Sequence, residues 1–171
     1  MVISGGPGSG KTTLLALLKQ AGYDCFEEIS REIINAGKAQ GLENYFLADP
    51  MAFSRHLWEG RLEQYAAAKE GVISFYDRGL HDVTAYLRHT GVPNTTWENL
   101  LPAHGYDKVF LIPPVQQIYL QDQQRMESFD EAVRLHEALH ATYAQYHTVI
   151  EVPFCSPQER LDFVLNHCNG E

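Results

Sequence analysis

A chain of 171 residues with 44% apolar side chains is long enough for one packed domain and too apolar for intrinsic disorder. A formal net charge of -9, with no Lys/Arg-rich run, argues against a nucleic-acid or anionic-membrane surface. No apolar run approaches the ~18 residues of a membrane span, and Met1-Val2-Ile3 is too short for a signal sequence, so a soluble protein is expected. The cysteines Cys25, Cys155 and Cys168 are odd in number and widely spaced, which fits a reducing cytoplasm better than a disulfide framework or a CxxC metal site.

Residues 2–4 read as a strand, and the strand opens directly into Gly5-Gly6-Pro7-Gly8-Ser9-Gly10-Lys11-Thr12, followed by Thr13. The segment fits G-x-x-x-x-G-K-[ST]. A polyphosphate needs donors from all sides, and successive backbone N–H groups supply them only where side chains stay away; glycines remove that obstacle. A helix over residues 10–20, with Leu14, Leu15, Leu17 and Leu18 inward, adds the positive end of its dipole. Lys11 is expected at the β- and γ-phosphates, and the Thr12 hydroxyl at a magnesium ion.

Residues 23–27 form a second strand that closes on Glu27 and Glu28. The helix expected from Ile29 to Gly37 would place Arg31 one turn from Glu28, so this carboxylate and guanidinium become candidates to bind an acceptor hydroxyl and a phosphate. Solvated acids at a helix start are the competing explanation, more so for Glu27. A third helix has Asp49 as N-cap and Pro50 at its first position, then Phe53, Leu57, Leu62 and Tyr65 about one turn apart.

Residues 72–76 read as a strand ending in Asp77, with Arg78 and Gly79 next. Open α/β sheets bind ligands at the carboxyl ends of their strands, so Asp77 is expected to face the Lys11 loop and help hold magnesium. Capping the helix that starts at Leu80 is its alternative role. The stretch 90–105 is the least regular, and 108–112 is the fourth strand. Asp122 and Arg125 lie in a lid-like segment, about residues 115–130; an arginine there can close over a transferred phosphoryl group or merely form a surface ion pair.

Ser128 and Glu131 form a capping box ahead of Val133, Leu135, Leu139, Tyr143 and Tyr146. This helix carries His136-Glu137-Ala138-Leu139-His140, which matches the H-E-x-x-H of zinc proteases. Tyr143 and Tyr146 stand where the metzincin continuation needs Gly and His, and Glu159 has no supporting pattern as third ligand, so no stoichiometric zinc is expected. Residues 148–152 are the fifth strand, and Ser156-Pro157-Gln158-Glu159 caps a last helix over 161–167. Strands alternating with helices predict an α/β fold, with one parallel sheet covered on both faces in a single domain over 1–171.

GTP switch proteins are excluded: Asp77 is followed by Arg78-Gly79-Leu80 rather than D-x-x-G, and an Asn-Lys-x-Asp motif is absent. The signature segments of ABC and helicase ATPases are absent too. The Asp77-Arg78-Gly79…Tyr86 stretch resembles the acidic-Arg-Ser/Tyr motif of deoxynucleoside and thymidylate kinases, and Glu28…Arg31 resembles their strand-two carboxylate base. The order GGPGSGKTT, EEISREII, FYDRGLHDVTAY and VPFCSPQERLDFVL is similar to small bacterial AAA-domain ATPases, a family that includes a ribosylnicotinamide-kinase domain.

That resemblance implies a P-loop NTPase three-layer α/β/α sandwich with a five-stranded parallel sheet of order 2-3-1-4-5. It also implies a lid bearing Arg125 and an adenine-contacting loop near residues 153–157. The expectation is transfer of the γ-phosphoryl group of ATP to a small acceptor such as a nucleoside or ribosyl compound, in a monomer or homodimer. Lys11 and Arg125 would neutralise charge, Thr12 and Asp77 would hold Mg²⁺, Glu28 would orient or deprotonate the acceptor, and Arg31 and Arg78 would clamp it. The alternative is an ATPase or nucleotide-sensing module with no acceptor.

Overall fold

The computed structural model describes residues 1–39, 41, 45–116 and 128–168. Its centre is a five-stranded sheet of β1 (Val2–Gly5), β2 (Asp24–Phe26), β3 (Ser74–Asp77), β4 (Val109–Ile112) and β5 (Val149–Glu151). All pairings are parallel and the order is β2-β3-β1-β4-β5. Register places Ile3 beside Asp77 and Gly5 beside Ile112, so the phosphate loop leaves the sheet next to the end of β3.

The near-continuous apolar strands are explained by burial on both faces. Ile3, Phe75, Phe110 and Ile112 pack under Leu14 and Leu18 of α1 (Lys11–Gln20) and Val164 of α8 (Pro157–Cys168). Their neighbours Val2, Tyr76 and Val109 turn the other way, onto Tyr106 and onto Tyr143 of α7 (Phe129–Tyr143). Leu111 joins Leu135 and Leu139 of α7 and Ala85 of α5 (Leu80–His89) on that face. The result is the three-layer α/β/α sandwich with the expected strand order.

The remaining described helices are α2 (Ser30–Ala39), α3 (Tyr45–Ala48), α4 (Pro50–Ala67) and α6 (Thr95–Glu98). Asp49 caps α4 through the Ala52 N–H at 2.8 Å, with Pro50 following as the sequence predicts. The Ser128/Glu131 box is formed. Ser156 and Glu159 exchange the same bonds and start α8 at Pro157, four residues before the expected Leu161. The third strand begins at Ser74 rather than Val72, because its first ladder partner is Asp24 of β2. Val72 and Ile73 lie ahead of that pairing and stay exposed. The stretch 90–105 holds α6 and a short 3-10 turn, Leu101–Ala103. Among the described residues no helix is long and apolar enough to cross a membrane.

Candidate active site

The loop after β1 is shaped by positions where a Cβ cannot fit. Gly5 has φ +145°, and a Cβ on it would come within 2.6 Å of the Ile112 carbonyl oxygen. Gly10 has φ +94° and would push a Cβ to 2.8 Å from Nη1 of Arg160. Thr12 and Thr13 open α1 on its exposed side. Lys11 is buried and folds back on its own loop, donating to the carbonyls of Gly5 at 2.8 Å and Gly6 at 2.7 Å and to Ser9 Oγ at 3.3 Å. Burial pulls its ammonium pKa below the ordinary lysine range, and the nearby Arg78 adds to the effect.

Pro7, Gly8, Lys11 and Thr12 line one wall of a cleft of about 560 Å³; Glu28, Arg31, Asp77 and Arg78 line the other. Asp77 is buried, and its Oδ1 has no hydrogen-bond partner among the described residues. Burial raises its carboxyl pKa, and the nearby Glu28 carboxylate pushes the same way. An orphaned carboxylate oxygen beside a polyphosphate loop and a threonine hydroxyl is the all-oxygen donor set that suits Mg²⁺. Asp77 does not cap α5: the Gly79 N–H there donates to Asp82 Oδ2 at 2.8 Å.

Glu28 is gripped by two arginines. Arg61 Nη2 lies 3.1 Å from Oε1, Arg78 Nε lies 2.5 Å from Oε2, and the Ser30 N–H donates to Oε1 at 3.2 Å. Burial alone would raise the carboxyl pKa, but Arg61 and Arg78 outweigh it and hold the group down at about 2. Arg61 also donates to the Gly79 carbonyl at 3.0 Å, and Arg78 to Tyr86 Oη at 3.0 Å. Arg78 is the non-glycine residue with positive φ among those described, at 71°, and this backbone turn aims its side chain across the strand end at Glu28.

Behind these groups lies Asp82, fully buried, which accepts from Ser4 Oγ at 2.6 Å and Tyr143 Oη at 2.5 Å as well as from the Gly79 N–H. It ties β1, α5 and α7 together directly under the Arg78 turn. Tyr106 accepts from the Leu80 N–H at 3.1 Å. A Cβ on Gly79 would come within 3 Å of both tyrosine hydroxyls, at 2.8 Å from Tyr143 and 2.9 Å from Tyr106.

One expectation changes. Glu28 precedes α2 instead of sharing a face with Arg31; Arg31 is exposed on the cleft wall, and Glu28 takes Arg61 and Arg78 as partners. Glu27 also borders the cleft, but it is exposed and pairs there with the exposed Lys19 at 2.8 Å. His136 is half-buried with its Nε2 3.1 Å from Glu151 Oε1, while His140 is exposed. Among the described residues no group of three His, Cys, Asp or Glu could hold a metal ion. Asp122 and Arg125, with residues 117–127 of the expected lid, lie outside the described residues.

Arg61, Asp82 and Arg160 are the residues the motifs did not reveal. A signal existed for Arg61, a charge at helical spacing from Phe53 and Trp58 on the buried side of α4. Asp82 stands where an acidic residue accepts from the start of a helix.

An AAA-domain family model matches residues 1–160. The chain belongs to this AAA-domain family. Among solved structures, deoxyadenosine kinase from M. mycoides, with dCMP and dCDP bound, superposes with a TM-score of 0.69 at 16% identity, covering 99% of this chain and 98% of that one. Thymidylate kinase from Ehrlichia chaffeensis gives 0.66 at 15%, covering 98% and 96%. The NadR protein in complex with NR gives 0.67 at 19%, covering 99% of this chain but 51% of NadR. At these identities the likeness is one of fold, the P-loop kinase fold. No curated protein matches the chain.

Proposed function

We propose that the protein binds ATP at residues 5–13 and transfers its γ-phosphoryl group to a hydroxyl of a nucleoside or ribosyl compound. The observation that carries this reading is a junction at Glu28 and Arg78. Both line the phosphate-loop cleft, and both also line a second cavity of about 260 Å³ walled by Ile34, Phe53, Leu57 and Val83. Ser54, Arg61, Asp82 and Tyr86 also line it. A chamber with an apolar side, polar groups and a carboxylate shared with the cleft suits a flat ring whose sugar hydroxyl must reach a phosphate. The kinase fold of its neighbours supports the same assignment.

In this reading the loop N–H groups and Lys11 hold the triphosphate, with Lys11 leaving the Gly5 and Gly6 carbonyls for the phosphates. Glu28, kept ionised by Arg61 and Arg78, accepts the hydrogen bond of the attacking hydroxyl and aims it at the γ-phosphorus. Arg78 clamps the acceptor, and Arg31 reaches it from the cleft wall. Thr12 and Asp77 are the residues that would hold Mg²⁺, which would supply charge neutralisation to the triphosphate. Arg125 is assigned the charge-neutralising role in a lid over residues 115–130, within a single domain spanning 1–171. A loose transition state asks little covalent chemistry of the protein, so positioning and electrostatics carry the rate.

The test is a screen of nucleosides, nucleotides and ribosyl vitamins with Mg·ATP, reading ADP release and, by mass spectrometry, the phosphorylated product. One acceptor class should stimulate release with matching product. ADP release that no acceptor stimulates would turn the reading to an ATPase or nucleotide sensor.

A further inference from the structure

The phosphate loop is held from behind by a residue 151 positions away: Arg160 of α8 donates from Nη1 to the Ser9 carbonyl at 2.9 Å. The guanidinium is buried, with 7% of the residue exposed, and packs at 5.6 Å from the Phe154 ring centroid. Its Nε has no hydrogen-bond partner among the described residues. Among the described residues no carboxylate lies within ion-pair distance of it. Glycine at position 10 is what lets it approach, since a Cβ there would stand 2.8 Å from Nη1.

Two consequences follow from elementary chemistry. The peptide unit joining Ser9 to Gly10 is planar and trans, so its C=O and N–H point in opposite directions. Anchoring the carbonyl outward on Arg160 therefore turns the Gly10 N–H to the opposite side, toward the hollow of the loop. An anion cradle needs its N–H groups turned that way. A buried guanidinium without a carboxylate is also costly to keep, unless an anion close by compensates it. The anion that this loop would bring is a polyphosphate.

Resting on the reading that the loop holds ATP, we infer that Arg160 is a positioning residue for the polyphosphate: it fixes the Ser9–Gly10 peptide as a donor and places an uncompensated positive charge behind the loop. The β- and γ-phosphates bring most of the negative charge, so the contribution grows along the series AMP, ADP, ATP.

The experiment is calorimetric titration of AMP, ADP and ATP into the wild type, Arg160→Met and Arg160→Lys. A charge-assisted hydrogen bond of ordinary strength predicts about a tenfold or greater loss of ATP affinity in Arg160→Met, with AMP affinity changed less than about threefold. Arg160→Lys keeps a charge and one donor and serves if the methionine variant does not fold. It should lose about threefold for ATP and leave AMP unchanged. Equal losses for ATP and AMP in either folded variant, as a mere structural strut would give, overturn the inference. So does undiminished ATP affinity in both. If the wild type itself binds no ATP, the functional reading fails instead, and this inference with it.

Discussion

The phosphate loop and the pocket behind Glu28 meet at the carboxyl ends of β1 and β3, yet they are assembled differently. The loop is a run of consecutive residues whose donors are backbone N–H groups, and its side chains matter mainly by being absent. The Glu28 region is made of side chains drawn from four places: Glu28 after β2, Arg61 on α4, Arg78 at the end of β3 and Asp82 on α5. A backbone site tolerates change outside its glycines, its lysine and whatever holds its carbonyls. A side-chain network fails at any member, because each buried charge is compensated only by the others.

That contrast can be broken experimentally, and the largest effect is expected at Glu28. Glu28→Gln keeps the shape but weakens the acceptor of the hydroxyl proton and takes a charge partner from Arg61 and Arg78. A lowered melting temperature should accompany this, so rates are compared at a temperature where the variant is folded. Acceptor-dependent turnover should fall by about 10²–10⁴ while ATP affinity stays within about threefold. Steady-state kinetics beside ATP titration separates the two. Turnover that persists with acceptor present would remove Glu28 from the chemistry.

Asp82→Asn should act on stability. It puts an amide where Ser4, Gly79 and Tyr143 all donate, and it strips a buried carboxylate from Arg78. Losing one partner of a buried charged network costs on the order of 3 kcal/mol, or about 6–12 °C of melting temperature for a chain of this length. Calorimetry checks it; a melting temperature unchanged within a degree or so would show that Asp82 is not a structural hub.

A smaller effect comes from His81, which is fully buried, stacked on Tyr143 at 4.8 Å, and without a hydrogen-bond partner among the described residues on either ring nitrogen. Burial pulls its pKa down to about 3, with His147 nearby acting the same way. The unfolded chain, with an ordinary histidine pKa of ~6.5, therefore binds a proton the folded chain refuses. Stability from His81 is complete above pH ~6.5 and is lost as pH falls toward 3, by at most about 1.4 kcal/mol per pH unit. Urea titrations between pH ~6.5 and ~5 should show this slope, and His81→Phe should flatten it; the lowered pKa of His147 leaves a residual slope of the same sign. An equal slope in the variant would contradict the assignment.

The smallest effect is expected one residue from the largest. Glu27→Gln removes an exposed pair with Lys19 and should change neither melting temperature nor turnover. Both acids border the cleft, so a measurable loss of turnover in this variant would give Glu27 a share of the chemistry assigned to Glu28.

What could be read from the sequence follows the same division. The sheet was legible because buried parallel strands leave continuous apolar runs, and the α4 and α7 starts because caps are local. The Ser156/Glu159 cap of α8 was legible too, but the helix begins four residues earlier than predicted. The glycine loop was legible because its chemistry is contiguous. Glu28 and Asp77 were found as acids at strand ends, but the arginine from α4 that pairs with Glu28 was not. Spacing along a helix suggested Arg31, whereas the chain supplied Arg61 from α4, 33 residues on. Arg160 was invisible for the same reason: its meaning lies in one bond to Ser9 across 151 residues.

The measurement that bears most directly on the account is the thermal shift of wild type and Lys11→Ala across a Mg·ATP titration. If residues 5–13 hold the triphosphate, the wild-type melting temperature should climb with ATP concentration by mass action, and Lys11→Ala should stay flat. An Lys11→Ala protein stabilised by ATP as strongly as the wild type would contradict it.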